Sequence, residues 1–314
     1  MTPAGVTGRP RILVIKLGAL GDIVQALGPA AAIRRHHGDA EIVLLTTAPF
    51  AGFLAKAPYF DAVWIDERPG PLDLVGLLRL RRRLRAAAFL RVYDLQTSAR
   101  TNWYFRLLGS GSRPEWSGIA RRASHAHDNP ARNAMHTLDR QAEQLRRAGI
   151  PDVPWPDLSW VHADLERFRL PGRFVVMVPG GAPHRPAKRW PVERYAALAA
   201  AVVSRGAVPV VIGGPAERGL AAAISAACPM ARDLTGETDL VEVAALGRRA
   251  LWAVGNDTGP VHLLVAAGAP ATVLYSAASD PALTAPRGPR VSILQSERLR
   301  DLGVEEVAAT LAFG

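Results

Sequence analysis

Short apolar runs alternate with amphipathic stretches along the whole chain. RILVIKL (11–17) is almost continuously hydrophobic, as a strand covered on both faces should be. The tight loop GALGD (18–22) follows, and IVQALGPAAAIRRHH (23–37) then carries a helical pattern. EIVLLTT (41–47), AVWID (62–66) and FLRVYDL (89–95) are further predicted strands with helical segments between them. A second series opens at RFVVMVPGG (173–181) and adds a helix after Pro191. It continues through PVVIGG (209–214), MARDLTG (230–236), LWAVGND (251–257), PATVLY (270–275) and VSILQS (291–296).

Strands spaced by helices of 10–15 residues predict an α/β fold whose parallel sheets are covered on both faces. Two such series predict two Rossmann-like, doubly wound domains, 1–155 and 156–314. The proline-rich segment of about 150–172, which contains Trp155 and Trp160, joins them. That linker is expected to lie folded on the surface. The closing segment 301–313 reads as an amphipathic helix that can pack back on the first domain. In open α/β sheets ligands bind beyond the carboxyl ends of the strands, and with two domains a cleft between them is the expected place.

Composition narrows the class. With 49% hydrophobic and 21% charged residues, the chain reads as a folded globular protein. Its longest apolar runs fall short of the roughly 18 residues that span a bilayer. The N-terminal apolar segment is short and interrupted by Lys16, unlike a signal peptide, so a cytoplasmic protein is expected. One cysteine, Cys228, leaves no disulfide framework or cysteine-built metal site.

Charge divides the chain unevenly. Residues 1–150 carry 22 Lys and Arg against 12 Asp and Glu, a net of +10, whereas 151–314 carry 16 of each. The densest stretch, RLRRRLRAAAFLR (79–91), is either a solvated helix face or an attraction to something anionic, such as nucleic acid, a phosphorylated glycolipid or a membrane surface. Aromatic residues are few and not interleaved with these arginines, which speaks against nucleic acid. Only three basic residues are lysines, Lys16, Lys56 and Lys188, and the first and last sit beside glycine- or proline-rich loops.

Three loops at strand ends could carry chemistry. In Lys16-Leu-Gly18-Ala-Leu-Gly21-Asp22 the glycines allow a sharp turn and close approach to a ligand. The loop is not a dinucleotide fingerprint, and the second strand ends LLTTAP without a ribose-binding acid, so hydride transfer is disfavoured. Asp22 is either a helix-capping acid or a general base, and a helix N-terminus stabilises a carboxylate and so weakens it as a base. In Pro179-Gly-Gly181-Ala-Pro-His-Arg-Pro-Ala-Lys188-Arg-Trp-Pro191 clustered cations suit a pyrophosphate. Glu217, after Gly213-Gly214, is either a ribose ligand or an acid at a helix start.

GNDTGPVHLL (255–264) places Asp257, Thr258, Gly259 and His262 where a strand runs into a helix. Helix-start amides with about half a unit of positive charge form an anion site. No Asp-x-Asp occurs and the histidines lack ligand spacing beyond His125-Ala-His127, so no metal is expected.

Together ILVIKLGALGDIVQALGPA, PGGAPHRPAKRWP, VVIGGPAE, DLTGETDLVEVAAL and VGNDTGPVHLLVAAGAP, in this order, resemble the glycosyltransferase family 9 heptosyltransferases of lipopolysaccharide core assembly. The resemblance implies a GT-B fold, with the acceptor on the N-terminal domain and ADP-heptose on the C-terminal one. It also implies inverting transfer without a metal or resident cofactor. Asp22 then matches the proposed general base and Lys188 the phosphate-contacting lysine, counted here as catalytic. Gly181, Lys188, Glu217, Asp257, Thr258, Gly259 and His262 fall on the donor side. Lys16, Gly18, Gly21, Asp94, Gln96 and Arg100 fall on the acceptor side, for an anionic glycolipid or glycan. The stretch 109–130, GSGSRPEWSGIARRASHAHD among it, matches no family pattern, which leaves the acceptor open. A transferase using another nucleotide sugar and a non-catalytic binding protein are the alternatives.

Overall fold

A computed structural model of the protein describes residues 8–109, 113–182 and 184–313. The chain divides into two compact units, Met1–Pro156 and Asp157–Gly314.

The first unit runs β1 (Arg11–Ile15), α1 (Leu20–Gln25), α2 (Leu27–His36), β2 (Glu41–Thr46), α3 (Ala48–Leu54), β3 (Ala62–Ile65), α4 (Leu74–Ala86), β4 (Arg91–Asp94), α5 (Ala99–Leu107), β5 (Glu115–Gly118), β6 (His125–Ala126) and α6 (Thr137–Arg147). Its strands form one parallel sheet in the order β3-β2-β1-β4-β5-β6. The apolar runs were read correctly as strands: Ile12, Leu13, Val14 and Ile15 are at most 1% exposed because helices cover both faces.

The long helix expected over 23–37 is two helices. Pro29 has no N–H to donate to the Gln25 carbonyl, and the ladder breaks at Ala26. Strands β5 and β6, in the stretch 109–130, were not expected. They are short and polar, and they extend the sheet beyond β4. Ser110, Gly111 and Ser112 of that stretch lie outside the described residues.

The second unit runs β7 (Phe174–Val178), α7 (Val192–Ser204), β8 (Val208–Val211), α8 (Arg218–Ala227), β9 (Arg232–Asp233), α9 (Leu240–Arg249), β10 (Trp252–Asn256), α10 (Gly259–Ala266), β11 (Ala271–Ser276), α11 (Pro281–Thr284), β12 (Val291–Ser296) and α12 (Val304–Ala309). The sheet order is β12-β11-β10-β7-β8-β9, again all parallel. The closing helix is shorter than expected, starting at Val304 after the N-cap Gly303, whose N–H donates to Glu306 Oε1 at 3.0 Å. It seats Val307, Ala308 and Leu311 in the core of its own unit, beside Tyr195, Leu198 and Val202 of α7.

Register fixes where loops emerge. In each unit the first strand of the series and the fourth lie side by side at the point where strand order reverses. Ile15 pairs with Asp94 in the first sheet, and Val178 with Gly255 in the second. The loops after residues 15 and 94 therefore leave the first sheet together, as those after 178 and 256 leave the second. These are the two switch points at which an open α/β sheet binds its ligand.

The linker has neither strand nor α-helix. Gly28 on α2 lets it approach, because a Cβ there would collide with the Pro154 carbonyl. Further along, Leu158 N–H donates to Ala266 O at 3.2 Å, and Arg248 donates to the carbonyls of Ser159 and Val161 at 2.8 Å each. No helix among the described residues is long and apolar enough to cross a membrane.

Candidate active site

The switch point of the second unit gathers the residues read as donor-side. Strand β10 ends in Asn256, wholly buried, whose amide makes four hydrogen bonds. Nδ2 donates to the carbonyls of Pro179 and Gly180 at 2.9 and 3.0 Å. Oδ1 accepts from Trp190 N–H at 3.0 Å and from the Tyr195 hydroxyl at 3.2 Å. One side chain thus ties the loop after β7, the start of α7 and the end of β10 together. Sequence reading passed over Asn256; its signal was a polar residue at the end of an apolar strand.

Trp190 explains the Lys-x-Trp-Pro pattern physically. Its ring is buried against Tyr195 at 5.0 Å, and its Nε1 donates to Leu302 O at 3.1 Å. Anchored two residues later in the core, Lys188 has little freedom, and its Nζ donates to Asp257 Oδ2 at 2.6 Å. His262 Nε2 lies 3.9 Å from Asp257 Oδ1. Burial works to raise the pKa of Asp257, but hydrogen bonds from His262 and Lys188, with the ammonium's charge, hold it well below the usual carboxylate range.

Helix α10 starts as expected, with Thr258 as its N-cap, Gly259 first and Pro260 second, and it stops before Gly268 at φ +100°. Thr258 makes no side-chain cap; its Oγ1 donates to Asn256 O at 3.3 Å. Pro260 has no N–H, and those of Val261 and His262 donate to Thr258 O at 3.1 and 3.5 Å, so Gly259 N–H is the first-turn amide left without a partner among the described residues. Gly255 allows this helix to fold back over the strand, since a Cβ there would meet Val261 Cγ2 at 2.5 Å and Val178 Cβ at 2.7 Å.

Glu217 sits between two glycine loops. Oε1 accepts from Gly181 N–H at 3.3 Å and Oε2 from Gly214 N–H at 2.5 Å, and a Cβ on Gly180 would strike its carboxylate. Both oxygens are thus engaged by backbone, and a ribose would use their remaining lone pairs. Arg189, one of the clustered cations read as suiting a pyrophosphate, donates to the Gly181 carbonyl. Pro183 of this loop lies outside the described residues.

The switch point of the first unit is built in the same way. Gln96 Oε1 accepts from Leu17 N–H at 2.9 Å, so here too an amide side chain braces one switch-point loop against the other. Lys16, buried, donates to Leu95 O at 3.2 Å and lies 3.9 Å from Asp22 Oδ1. Burial lowers the Lys16 pKa, as does the charge of Arg140, while Asp22 and Asp94 oppose them. Gly18 holds φ +134° against the Phe50 ring, and Gly21 lies within α1.

Asp22 is not the N-cap but the third helical residue. Its Oδ2 accepts from Ala19 N–H at 3.2 Å, yet its side chain remains 47% exposed. It supports the helix start and still faces solvent, so its two readings are compatible. Arg140, on α6, acts electrostatically on Asp22 and went unnoticed in the sequence.

Two acceptor-side expectations change. Asp94 is wholly buried; its Oδ1 accepts from Gln96 and Thr97 N–H at 3.1 and 2.9 Å, so it shapes the loop from beneath. Arg100 turns to other partners, donating to Pro69 O at 3.1 Å and the Tyr104 hydroxyl at 3.4 Å. Among the described residues no three His, Cys, Asp or Glu side chains group as metal ligands.

The buried Asp94 has a measurable consequence. Burial raises its pKa to about 6, against opposing hydrogen bonds from Thr97, Thr101 and Gln96. A folded-state pKa above the unfolded value means that stability is present at low pH and lost as pH rises from about 4 through 6. Asp94→Asn, which keeps an acceptor oxygen, should therefore gain stability relative to the parent over that window, by up to about 3 kcal/mol. Urea unfolding at pH 4.5 and 7.5 checks this, and a stability difference that does not change with pH would refute it.

A family model described as glycosyltransferase family 9 (heptosyltransferase) matches residues 77–307, well over half of the chain. The chain belongs to glycosyltransferase family 9. It is therefore a glycosyltransferase. Lipopolysaccharide heptosyltransferase 2 of Escherichia coli is 25% identical over 91% of this chain and 88% of its own. The structure of E. coli ADP-heptose lps heptosyltransferase II superposes with a TM-score of 0.80 at 22% identity, covering 96% of this chain and 97% of the other. E. coli heptosyltransferase WaaC with ADP gives 0.76 at 19% identity, over 95% and 98%. The two doubly wound sheets are thus the GT-B architecture of family 9, as the resemblance implied.

Proposed function

We propose that this family 9 enzyme transfers a heptosyl group from ADP-heptose to a sugar of a lipopolysaccharide core, with inversion and without a metal. The observation that carries the donor side is the grouping of Lys188, Asp257 and His262 at the start of α10. There a cation, an imidazole and the unpaired N–H of Gly259 meet at a sheet switch point. The named relatives add weight: one is a lipopolysaccharide heptosyltransferase, and another carries ADP.

In this reading Lys188, His262 and the Gly259 N–H stabilise the charge that builds on the departing diphosphate. Asp22 accepts the proton of the acceptor hydroxyl as that oxygen attacks the anomeric carbon. The new C–O bond forms on the face opposite the old one, the bond to the diphosphate breaks, and ADP leaves with its electron pair. Gln96 and Asp94 keep the Asp22 loop in shape from behind. The basic first unit, with net +10 over residues 1–150, suits an anionic acceptor.

The test is a thermal-shift series with ADP, UDP, GDP, CDP and NAD in the absence of added metal. At a hundredfold excess over Kd, a ligand specific to the native state adds about 2.7 kcal/mol of stability. Selective stabilisation by ADP is expected. A stronger response to UDP or GDP would move the donor to another nucleotide sugar, and no response to any would overturn the diphosphate reading.

A further inference from the structure

The helix α4 has two unlike faces. Leu77, Leu80 and Leu84 are buried, two of them in the core of the first unit. On the opposite face Leu74 and Val75 are each 68% exposed and Leu78 61%, with Leu72, just before the helix, at 93%. Helical spacing puts Val75, Leu78 and Arg82 on one line along that face, flanked by Arg79, Arg85 and Ala86. Apolar side chains thus occupy its N-terminal half and arginines its C-terminal half. A patch of large aliphatic residues rimmed by charge marks an interaction surface.

The charge on this surface is compensated at its edge, where Arg79 lies 3.6 Å from Glu67 Oε2, and is otherwise unopposed. No acid occurs in Leu74–Ala86, and the Asp73 carboxylate is turned to the helix start, accepting from Gly76 N–H at 2.8 Å. Arg83 lies over the Trp64 ring at 3.9 Å and Arg81 donates to Leu107 O, so both are drawn toward the protein. Arg82 and Arg85 have no ion-pair or hydrogen-bond partner among the described residues. They line a shallow hollow with Leu78, Arg81 and Ala86.

We infer that this face of α4 docks on a bilayer surface rich in anionic headgroups. Leu72, Leu74, Val75 and Leu78 enter the headgroup region, and Arg82 and Arg85 bind lipid phosphates beside them. The surface lacks the aromatic platform a single-stranded nucleic acid would use. A two-fold pairing of the face with a second copy would set arginine-rich surfaces against each other, with Glu67 beside Arg79 as their acid. The inference stands apart from the donor reading, because nothing in α4 belongs to the Lys188–Asp257–His262 group.

The experiment is co-sedimentation of the full-length protein with vesicles of phosphatidylcholine alone and of phosphatidylcholine and phosphatidylglycerol in equal amounts. Binding to the anionic vesicles should exceed binding to the neutral ones by roughly tenfold or more and should weaken as salt is raised. Val75→Ser/Leu78→Ser should weaken anionic binding by roughly tenfold at fixed salt while retaining its salt dependence. Arg82→Ser/Arg85→Ser should weaken it and flatten the salt dependence. All substituted side chains are exposed, so melting temperature and the ADP thermal shift should match the parent, which keeps this test separate from that of the donor. Equal binding by the parent and both double variants, or no anionic preference, overturns the inference. So would lipid-free dimerisation abolished by Val75→Ser/Leu78→Ser, or oligonucleotide retention without vesicle binding.

Discussion

Asp22→Asn is expected to lower the turnover of heptosyl transfer by about 10²–10⁴-fold, the usual contribution of a positioned general base. ADP affinity should stay within about twofold, because the bonds described above that shape the donor-side loops come from residues 178–302. Asparagine still offers an oxygen to the Ala19 amide, so the start of α1 should persist. What it removes is the carboxylate's ability to accept a proton beside Lys16 and Arg140. Steady-state rates with extracted lipopolysaccharide, alongside the ADP thermal shift, separate the two effects. Undiminished turnover would remove Asp22 from the chemistry.

Lys188→Ala should weaken ADP by about 10–100-fold, the value of one hydrogen bond from a charged donor. It should also destabilise the protein, because Asp257 would keep a largely buried charge without its ammonium. The double variant Lys188→Ala/Asp257→Asn separates these consequences. Stability should recover in large part, since no unpaired carboxylate remains, while the loss of ADP affinity should persist. Calorimetric binding and urea denaturation on the single and double variants check both halves. Full recovery of ADP affinity in the double variant would mean that Lys188 serves only to neutralise Asp257.

Much of this fold was legible in the sequence because parallel strands buried on both faces produce unbroken apolar runs, and RILVI, FVVMV and VSILQS all became strands. The turn at 257–262 was legible because strand end, glycine, proline and helix follow one another locally. The bonds between distant loops were not. Gln96 braces Leu17 across 79 positions, and Asn256 braces Gly180 across 76; nothing local names the distant partner of either. Asp94 and Glu217 looked like ligands because carboxylates near strand ends often are. Only the packing reveals that backbone amides already occupy Asp94 Oδ1 and both oxygens of Glu217. For α4 the arginine density was plain, but sorting Leu77, Leu80 and Leu84 inward and Leu74 and Leu78 outward required the sheet it packs on.

The amide of Asn256 donates twice and accepts twice, and no other side chain of its length has both capacities. Aspartate would leave the Pro179 and Gly180 carbonyls without donors, and leucine would strand the backbone N–H of Trp190 as well. Such a position is closed to gradual change during divergence. A lineage of this enzyme that moves to a new sugar must do so through residues that hold nothing else in place, such as the exposed ones of 109–130. Variation in specificity and constancy of the loop frame around Asn256 are thereby expected in different parts of the chain.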